Sequence, residues 1–430
     1  MSRNYFIFDE NKCVGCEACV VACVLENGFQ FPDSWRTIYS SNKNKIPGLP
    51  FFNLSLGCNH CEDAPCMNLC PSLSFSRDTV TGAILIDSEK CIGCKYCTWN
   101  CPYEAPKYNP VSRVIEKCNF CNTRLLEKKK PSCAVSCPTG ALDFSFDEID
   151  KATMPNGMKT PNNPSPSIEI IKLKRSNAPI VDLVLFKSLP KDISEKTDRL
   201  KISAITELPL LIFTLVVALV VPISASNLLQ HQSIGTRISF VLIIGMAAAI
   251  STIHLGQKHK FWRSVLNFRR SWLSREIVFF SIYFTLSIVD AFIYRMPTFV
   301  IVLFGLATLL SVDMLYKPLQ WNWKTQWHFG QVLLISTSFF LLINQFYIAL
   351  LAVILLRILI IALTLSISKI EVMPIIWFLF MLKTGMLVIG GYDPWLVILV
   401  FVLGEITARI SFYNKLSIFK LSLKSDFPNL

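Results

Sequence analysis

The residues with the clearest chemistry in this sequence are its cysteines. The chain has 430 residues and 16 cysteines, and all of these cysteines lie within residues 13–137. Residues 91–102 read C-x2-C-x2-C-x3-C-P, a spacing typical of bacterial [4Fe–4S] proteins. The first three thiolates, on a tight loop helped by Gly93, can reach three irons of one cubane. Cys101 lies beyond the turn and is expected to bind a different cubane, so this segment predicts a second cluster.

The cysteines fall into four groups along the chain, and every group ends in C-x3-C. The groups are Cys13, Cys16, Cys19 and Cys23; Cys58, Cys61, Cys66 and Cys70; Cys91, Cys94, Cys97 and Cys101; and Cys118, Cys121, Cys133 and Cys137. Four quartets of thiolates predict four [4Fe–4S] clusters, with no cysteine left over.

Disulfides and zinc are the alternatives for these cysteines. A disulfide framework would need an oxidising compartment, and we see no secretory signal or twin-arginine pair at the N-terminus. Structural zinc uses paired C-x2-C knuckles, often with histidine. Here each knuckle is extended by further cysteines, and His60 is the one histidine nearby. The sequence therefore favours clusters in a reducing compartment, with His60 beside a cluster or at the surface rather than acting as a ligand.

Short β-type runs at residues 5–9 and 83–87 precede the first and third groups, and each is expected to lead into a cluster loop. Four lysines lie beside the loops: Lys12, Lys90, Lys95 and Lys117. Because a cluster with four thiolates carries negative charge, a nearby cation would raise its reduction potential. The alternative for each is an ordinary solvated lysine.

The order and spacing of the four groups resemble the four-cluster electron-transfer subunit of the dimethyl sulfoxide reductase family, over roughly residues 1–180. The resemblance implies an α+β ferredoxin-like domain over residues 1–150, in which the first group pairs with the fourth and the second with the third. It implies four ligand sets: site 1, Cys13, Cys16, Cys19 and Cys137; site 2, Cys118, Cys121, Cys133 and Cys23; site 3, Cys58, Cys61, Cys66 and Cys101; and site 4, Cys91, Cys94, Cys97 and Cys70. Some relatives have tryptophan at the position of Cys94 and a three-iron cluster, so we expect four cubanes here.

Residues 151–204 are interpreted as a linker. Prolines and asparagines between residues 155 and 166 predict an irregular loop. Residues 168–174 alternate apolar and charged side chains and predict an edge strand. Residues 190–204 are charged and predict a tether to a membrane helix.

The remaining sequence, residues 205–430, predicts an all-α polytopic membrane domain of eight transmembrane helices. The apolar runs are 207–226, 234–253, 276–294, 297–315, 328–345, 347–367, 374–392 and 395–412, each near the roughly 20 residues needed to cross a bilayer. Asn344 and Gln345 are the predicted turn between the fifth and sixth runs. Residues 204–430 hold 17 basic and 8 acidic residues. In so apolar a sequence this balance indicates membrane loops rather than a nucleic-acid surface.

Basic residues predict how this domain is oriented. With eight helices, 12 Lys and Arg fall on the side of the N-terminus and only Arg237 and Arg295 on the other. The positive-inside rule then places both termini and the clusters on the cytoplasmic side of the inner (cytoplasmic) membrane. Members of the resembled family can place this side outside by export with a partner, so a periplasmic location stays open.

Two ionisable residues at helix ends are candidates for a quinol site. His254 ends the second run, and Glu276 opens the third at the end of the segment 271–276, Ser-Trp-Leu-Ser-Arg-Glu. These segments, together with Asn267 and residues 404–409, resemble the menaquinol-oxidising anchor subunit of the same family. The resemblance implies that His254 and Glu276 contact the quinol headgroup and accept its protons, as imidazole and carboxylate can.

Each of these residues has a structural alternative. Glu276 could complement the helix dipole two residues after a cap at Ser274, and His254 could bond only within a loop. Glu405 and Arg409 are four residues apart, which predicts an ion pair on one helix face.

Other residues of this half carry no assigned chemistry. Haem b would need a second pair of histidines, and His254 and His328 both fall on one side, so the sequence argues against it. Three tryptophans are interpreted as interfacial belt residues: Trp321, Trp323 and Trp327. Four ionisable residues receive no role: Arg357, Lys383, Asp290 and Asp313.

Together these features predict a non-catalytic electron-transfer and anchor subunit. Menaquinol would be oxidised in the membrane half, and its electrons would pass through four [4Fe–4S] clusters to a separate molybdopterin-containing catalytic subunit, for which this chain leaves no room. One alternative is a relative acting on polysulfide, tetrathionate or thiosulfate. Another is a redox-coupled ion pump, which would need ionisable residues continuous across the bilayer, and the far-side loops hold almost none.

Overall fold

The computed structural model describes residues 4–30, 33–40, 52–147, 164–172, 207–226, 228, 232–294, 296–316, 331–364 and 372–415. These residues form two compact units, one up to residue 172 and the other from residue 207. The first unit mixes strands and short helices, and the second is helical. Most of the predicted linker, the three belt tryptophans, His328 and Arg295 lie outside the described residues.

The described part of the first unit consists of short elements joined by the cysteine-bearing loops. In chain order they are β1 (Tyr5–Asp9), α1 (Ala18–Asn27), β2 (Thr37–Ser40), β3 (Asn53–Leu56), α2 (Pro65–Asn68), β4 (Phe75–Arg77), β5 (Ile84–Ile86), α3 (Tyr96–Asn100), β6 (Lys107–Asn109), β7 (Val114–Glu116), α4 (Asn122–Leu126), α5 (Ser132–Val135), β8 (Leu142–Ser145) and β9 (Ile168–Ile171). Helices this short contribute little stability of their own, so packing must hold them in place.

A three-stranded sheet carries the aromatic core of the first unit. β1 lies in the middle, with β8 antiparallel on one side and β9 parallel on the other. Side chains alternate across a strand, and Phe6 and Phe8 of β1 are accordingly buried. Phe6 meets Phe120 and Phe144 edge to face, with ring centroids 5.2 and 5.4 Å apart. Such pairs add to the stabilisation that burial alone provides.

The strand predictions for this unit are confirmed. The run at residues 5–9 is β1, the run at 83–87 contains β5, and the first four residues of the predicted edge strand form β9 at the sheet edge. The other strands form three two-stranded hairpins, β2–β3, β4–β5 and β6–β7.

The described part of the second unit contains eight α-helices and one 3-10 helix. They are α6 (Leu208–Ala225), α7 (Ile234–Thr252), the 3-10 helix (Lys258–Val265), α8 (Trp272–Phe292), α9 (Thr298–Leu315), α10 (Gln331–Ile343), α11 (Tyr347–Thr364), α12 (Val372–Ile389) and α13 (Pro394–Lys415). A helix therefore occupies each of the eight predicted runs. Asn344 and Gln345 form the predicted turn, with Gln345 at a φ of 61°.

Five of these helices are long and apolar enough to cross a membrane: α6, α7, α8, α9 and α13. The described apolar parts of α10, α11 and α12 are shorter, at Gln331–Ile343, Tyr347–Leu359 and Ile376–Ile389. Length and composition thus support five spans among the described residues, where the sequence predicted eight.

A buried ion pair joins two helices of the second unit. Both terminal nitrogens of Arg357 on α11 donate to the carboxylate of Glu405 on α13, at 2.6 and 2.9 Å. The predicted pair between Glu405 and Arg409 is therefore wrong: the partner comes from another helix rather than from the next turn of the same one. Gln331 on α10 accepts a further bond from Arg357 at 3.2 Å. The guanidinium also lies 5.2 Å from the ring centroid of Trp377 on α12, so this cluster joins four helices.

Two of the other unassigned ionisable residues, Asp290 and Asp313, accept hydrogen bonds from backbone N–H groups. Asp290 accepts a bond from the backbone N–H of Met296 at 2.9 Å and so closes the turn after α8. Asp313 accepts from the backbone N–H groups of Val332 and Leu333 at 3.1 and 3.0 Å, which caps the start of α10. The side chain of Lys383 is exposed.

Candidate functional site

The loops of the first and third cysteine groups share one backbone conformation. Gly15 and Glu17 have φ values of 71° and 60°, and Gly93 and Lys95 have values of 66° and 58°. Two left-handed residues, two positions apart, bend the chain tightly between its cysteines, and glycine adopts this region at little cost. The predicted role of Gly93 in a tight loop is therefore confirmed.

A helix follows each of these loops and carries the third cysteine of its group. In the third group, α3 contains Cys97 and ends at Asn100, and Cys101 has an extended backbone with φ −91° and ψ 116°. In the first group, α1 carries both Cys19 and Cys23. The fourth cysteine of both groups is thus displaced from the tight loop.

Two cavities in the first unit are each lined by four cysteines drawn from two groups. The site 2 cavity is lined by the four cysteines that the resemblance assigns to site 2: Cys23, Cys118, Cys121 and Cys133. The site 3 cavity is lined by those assigned to site 3: Cys58, Cys61, Cys66 and Cys101. Each cavity thus brings three cysteines of one group together with the fourth cysteine of another group.

The thiols assigned to site 1 also lie within electrostatic range of one another, and so do the thiols assigned to site 4. Burial raises the pKa of Cys13, and the charges of Cys19, Cys137 and Cys16 raise it further. The pKa of Cys97 is raised by burial and then by Cys94, Cys70, Cys66 and Cys91. Each set therefore brings three cysteines of one group close to a cysteine from another.

Neighbouring sets are linked in a single series. Cys133 of site 2 interacts with Cys19 of site 1. Cys118 of site 2 interacts with Cys58 of site 3, and Cys97 of site 4 interacts with Cys66 of site 3. Each of these contacts joins two sets that carry consecutive numbers.

Backbone N–H groups solvate several of the thiols. Ser74, Phe120 and Leu142 donate to the sulfur atoms of Cys70, Cys118 and Cys137, each at 3.4 Å. Burial raises the pKa of Cys137, but hydrogen bonds from Leu142 and Thr139 outweigh it and hold this pKa below its usual value. Such donors favour the thiolate, the form that binds iron.

A buried cation accompanies each of the two cavities. Arg36 lines the site 2 cavity, is only 3% exposed, and donates to the carbonyl and hydroxyl oxygens of Ser55 at 3.3 and 3.1 Å. Lys117 lines the site 3 cavity, is 2% exposed, and donates to the carbonyl oxygens of Ile84 and Cys118. Of these cations the sequence indicated Lys117 but not Arg36, which lies far from any cysteine in sequence.

Two of the other three lysines beside the loops are ordinary surface groups. Lys12 pairs with Asp9 and Lys90 with Asp87, and the lysine side chains are 58% and 50% exposed. Lys95 lies 4.7 Å from the ring centroid of Tyr108. For Lys12 and Lys90 the solvated alternative therefore describes the structure.

His60 is buried rather than at the surface. It is 1% exposed and lines the site 3 cavity. Its ring stacks on Phe120 with centroids 4.0 Å apart. Its Nδ1 accepts a bond from the backbone N–H of Ile84 at 2.9 Å. Of the two positions that the sequence left open, the one beside a cluster site is observed.

The thiol sets suit a cubane better than a single ion. Among the described residues, no three Cys, His, Asp or Glu side chains come close enough to hold one metal ion. A cubane takes one thiolate at each of its four irons, so its ligands surround a volume instead of converging on a point. Four thiols around an enclosed cavity, with a buried cation beside them, fit this requirement.

In the second unit, the candidate quinol residues flank the connection between α7 and α8. His254 follows α7 by two residues, is half-buried, and its Nδ1 contacts the carbonyl oxygen of Ser251. Glu276 lies in the second turn of α8, is 5% exposed, and its Oε2 has no hydrogen-bond partner. It lies within electrostatic range of Tyr316.

The segment around Glu276 is fixed by its neighbours. Ser271, rather than the predicted Ser274, caps α8, because its hydroxyl accepts the backbone N–H of Ser274 at 3.4 Å. The Ser274 hydroxyl instead donates to the carbonyl oxygen of Ser264 at 2.6 Å. Arg275 donates to the carbonyl oxygens of Phe268 and Arg269. A carboxylate complements the helix dipole in the first turn of a helix. Glu276 is the fifth residue of α8 and therefore lies beyond that turn.

Comparison with known families identifies the first unit. The family model of the 4Fe-4S dicluster domain matches residues 50–146, which contain the second, third and fourth cysteine groups. Together with the thiol-lined cavities, this match makes the protein an iron–sulfur protein of the multi-cluster ferredoxin type.

Several characterised proteins are similar to this one. The B subunit of the anaerobic dimethyl sulfoxide reductase of Escherichia coli (strain K12) is 34% identical over 211 residues, which are 45% of this chain and 100% of that protein. The B subunit of the polysulfide reductase of Wolinella succinogenes is 40% identical over 150 residues, 34% of this chain and 77% of that protein. The thiosulfate reductase electron transfer subunit of Salmonella typhi is 39% identical over 148 residues, 33% of this chain and 76% of that protein.

These similarities define the family. The protein belongs to the iron–sulfur electron-transfer subunits that include the B subunit of dimethyl sulfoxide reductase, since it covers the whole of that relative. Here the electron-transfer subunit is continuous with a helical region apolar enough for a membrane.

Proposed function

We propose that this chain is both the electron-transfer and the membrane-anchor subunit of a reductase complex. It takes electrons from menaquinol and delivers them, by way of four [4Fe–4S] clusters, to a separate molybdopterin-containing catalytic subunit. The observation that carries this proposal is the pair of cavities in which three cysteines of one group meet the displaced cysteine of another. This exchange of the fourth ligand is the arrangement that two-cluster ferredoxins use.

The four ligand sets are assigned to sites 1 to 4 as the resemblance implies. Sites 2 and 3 are supported by the lining of their cavities, and sites 1 and 4 by the electrostatic contacts of Cys13 and Cys97. The contacts between consecutively numbered sets support a relay from site 4 to site 1. The chain's own contribution is to hold neighbouring sets close together and to bury most of their thiols.

The helical unit is proposed to span the membrane eight times, with the iron–sulfur unit on the cytoplasmic side. Five helices meet the length and composition of a span, and three more occupy the remaining predicted runs. Charged side chains inside membranes commonly mark function. Glu276 fits this description because it is buried and one of its oxygens has no partner.

We assign Glu276 and His254 to the quinol site. Quinol oxidation releases two protons with its two electrons, and a carboxylate or an imidazole near the membrane interface can accept a proton. Ser271, Ser274 and Arg275 are engaged by the adjacent loop and hold the first turns of α8 in place. Glu276 is thereby left as the group of this segment available to a ligand.

The catalytic partner and its substrate follow from the relatives. The named relatives are subunits of reductases for dimethyl sulfoxide, polysulfide and thiosulfate. Identity is higher to the polysulfide and thiosulfate proteins, at 40% and 39%, than to the dimethyl sulfoxide protein, at 34% over a longer alignment. A sulfur-compound reductase is therefore the second candidate, and the partner subunit would decide between them.

The direct test is to add a menaquinol analogue to the purified full-length protein under anaerobic conditions and follow its reduction. We expect the brown absorbance to bleach with the analogue and with dithionite. The variant E276Q should bleach with dithionite but slowly or not at all with the quinol analogue. A parent protein that bleaches only with dithionite would contradict the proposed electron donor.

The matched control is D290N, on the same helix as Glu276. Asp290 acts through one oxygen that closes a turn, and asparagine keeps that oxygen. This variant should behave like the parent protein. Normal quinol-driven bleaching in E276Q would remove Glu276 from the site while leaving the iron–sulfur assignment intact.

A further inference from the structure

The site 3 cavity contains a buried side-chain nitrogen without a partner in the chain. It is Nε2 of His60, and His60 lines the cavity. The neighbouring Asn59 also lines the cavity, but its side chain interacts with the hydroxyl of Tyr103. Buried polar groups are nearly always hydrogen-bonded, so the Nε2 atom of His60 calls for a partner within the cavity.

The hydrogen bonds of His60 determine which of its nitrogens carries the proton. Nδ1 accepts from the backbone N–H of Ile84 at 2.9 Å, so it has no proton of its own. A neutral imidazole then carries its proton on Nε2.

The contacts of His60 occupy one face of its ring and its Nδ1 edge, but not its Nε2 atom. One ring face is covered by Phe120, and the Nδ1 edge is bound to the chain at Ile84. The backbone is held as well, because the hydroxyl of Ser167 donates to the His60 carbonyl oxygen at 3.0 Å. The ring is therefore fixed in place before any ligand binds.

We propose that His60 donates a hydrogen bond from Nε2 to a sulfur atom of the cluster held by Cys58, Cys61, Cys66 and Cys101, and thereby raises the reduction potential of that cluster. This inference rests on the proposed function, which places a [4Fe–4S] cluster at site 3. Reduction adds one negative charge to a cluster, and hydrogen bonds to its sulfurs stabilise that charge. The buried ammonium group of Lys117 acts in the same direction on the same cavity.

The site 2 cavity differs in how its polar side chains are engaged. Asn27 donates to the carbonyl oxygen of Cys23 at 2.8 Å and also contacts the Cys23 sulfur at 3.7 Å, and Arg36 donates to Ser55. Neither Asn27 nor Arg36 has a buried unpartnered atom. At site 2 the side-chain donor Asn27 thus already contacts a thiol of the chain, whereas at site 3 the Nε2 atom of His60 has no partner within the chain.

The test is an EPR-monitored redox titration of the full-length protein carrying H60F, compared with the parent protein. Phenylalanine keeps a ring to stack on Phe120 but has no donor. We expect the equilibrium constant for reduction of one cluster to fall roughly tenfold, which is about 59 mV for a one-electron couple. The other three clusters should keep their potentials and serve as internal controls.

Two further variants separate the hydrogen bond from packing. H60Q retains a side-chain N–H and should recover part of the lost potential. F144L changes the same aromatic core without touching a cluster cavity and should leave all potentials unchanged. Unchanged potentials in H60F would overturn the proposal, as would an H60Q variant no closer to the parent protein than H60F.

A measurement on the parent protein decides the matter if H60F fails to assemble. Pulsed EPR of the reduced protein, labelled with ¹⁵N-histidine, should show a weak coupling between one cluster and a histidine nitrogen, and this coupling should vanish in H60Q. Absence of that coupling in a protein with its full iron content would refute the role of His60 alone. A parent protein without iron at site 3 would instead refute the proposed function.

Discussion

The buried pair between Arg357 and Glu405 allows a quantitative prediction about the helical unit. The two side chains are 1% and 0% exposed, and they share two short hydrogen bonds. We consider the single substitutions Arg357→Met and Glu405→Leu, together with the double variant. Each single substitution leaves one charge buried without its counter-ion.

The size of the effect follows from the cost of an uncompensated buried charge. Removing one partner of such a pair typically destabilises a protein by about 3–5 kcal/mol. Gln331 can offset little of this cost for Arg357, because its single bond is longer at 3.2 Å and comes from a neutral amide. Replacing both partners with apolar side chains removes both charges, so the double variant should lie within about 1.5 kcal/mol of the parent protein or above it.

The assay is equilibrium unfolding in mixed detergent micelles titrated with sodium dodecyl sulfate, followed by tryptophan fluorescence and circular dichroism. We expect each single variant to lose roughly two to four orders of magnitude in the folding equilibrium constant. Single variants as stable as the parent protein would refute the argument. So would a double variant as unstable as the two single variants combined, because that would show two independent contributions rather than one pair.

Three other predictions follow from the structure. Cys23→Ser removes one site 2 thiol, so bound iron should fall from about sixteen toward about twelve atoms per polypeptide, and an unchanged iron content would place Cys23 outside the set. Arg36→Met should lower the potential of the site 2 cluster in a redox titration, and Arg36→Lys should restore most of it, because the buried charge is retained. Gly305→Ala places its new Cβ 2.7 Å from a methyl group of Val221. It should destabilise the helical unit by about 1 kcal/mol, whereas Gly245→Ala, with its nearest atom at 3.4 Å, should be neutral in the same unfolding assay.

The sequence predicts those features that repeat or that lie close together along the chain. The cysteine spacings, the glycine-assisted loop at Gly93 and the strands β1 and β5 are local patterns, and they recur in the structure. The helical runs are predicted for the same reason, because apolar length is a property of a single segment.

The features that sequence reasoning missed depend on contacts between distant segments. Arg36 lies 13 residues beyond Cys23, and only the folded hairpin β2–β3 brings it to a thiol cavity. Glu405 has a candidate partner four residues away in sequence, but Arg357 on another helix approaches it with better geometry. The burial of His60 likewise depends on Phe120 and Ile84, which belong to later cysteine groups and strands.

The central claim is that the sixteen cysteines hold four cubanes, and iron content tests it most directly. Iron and acid-labile sulfide are to be determined on the full-length protein purified without oxygen, with the protein concentration fixed by amino-acid analysis. The account predicts about sixteen irons and about sixteen sulfides per polypeptide. A value near eight, or iron without matching sulfide, would contradict it.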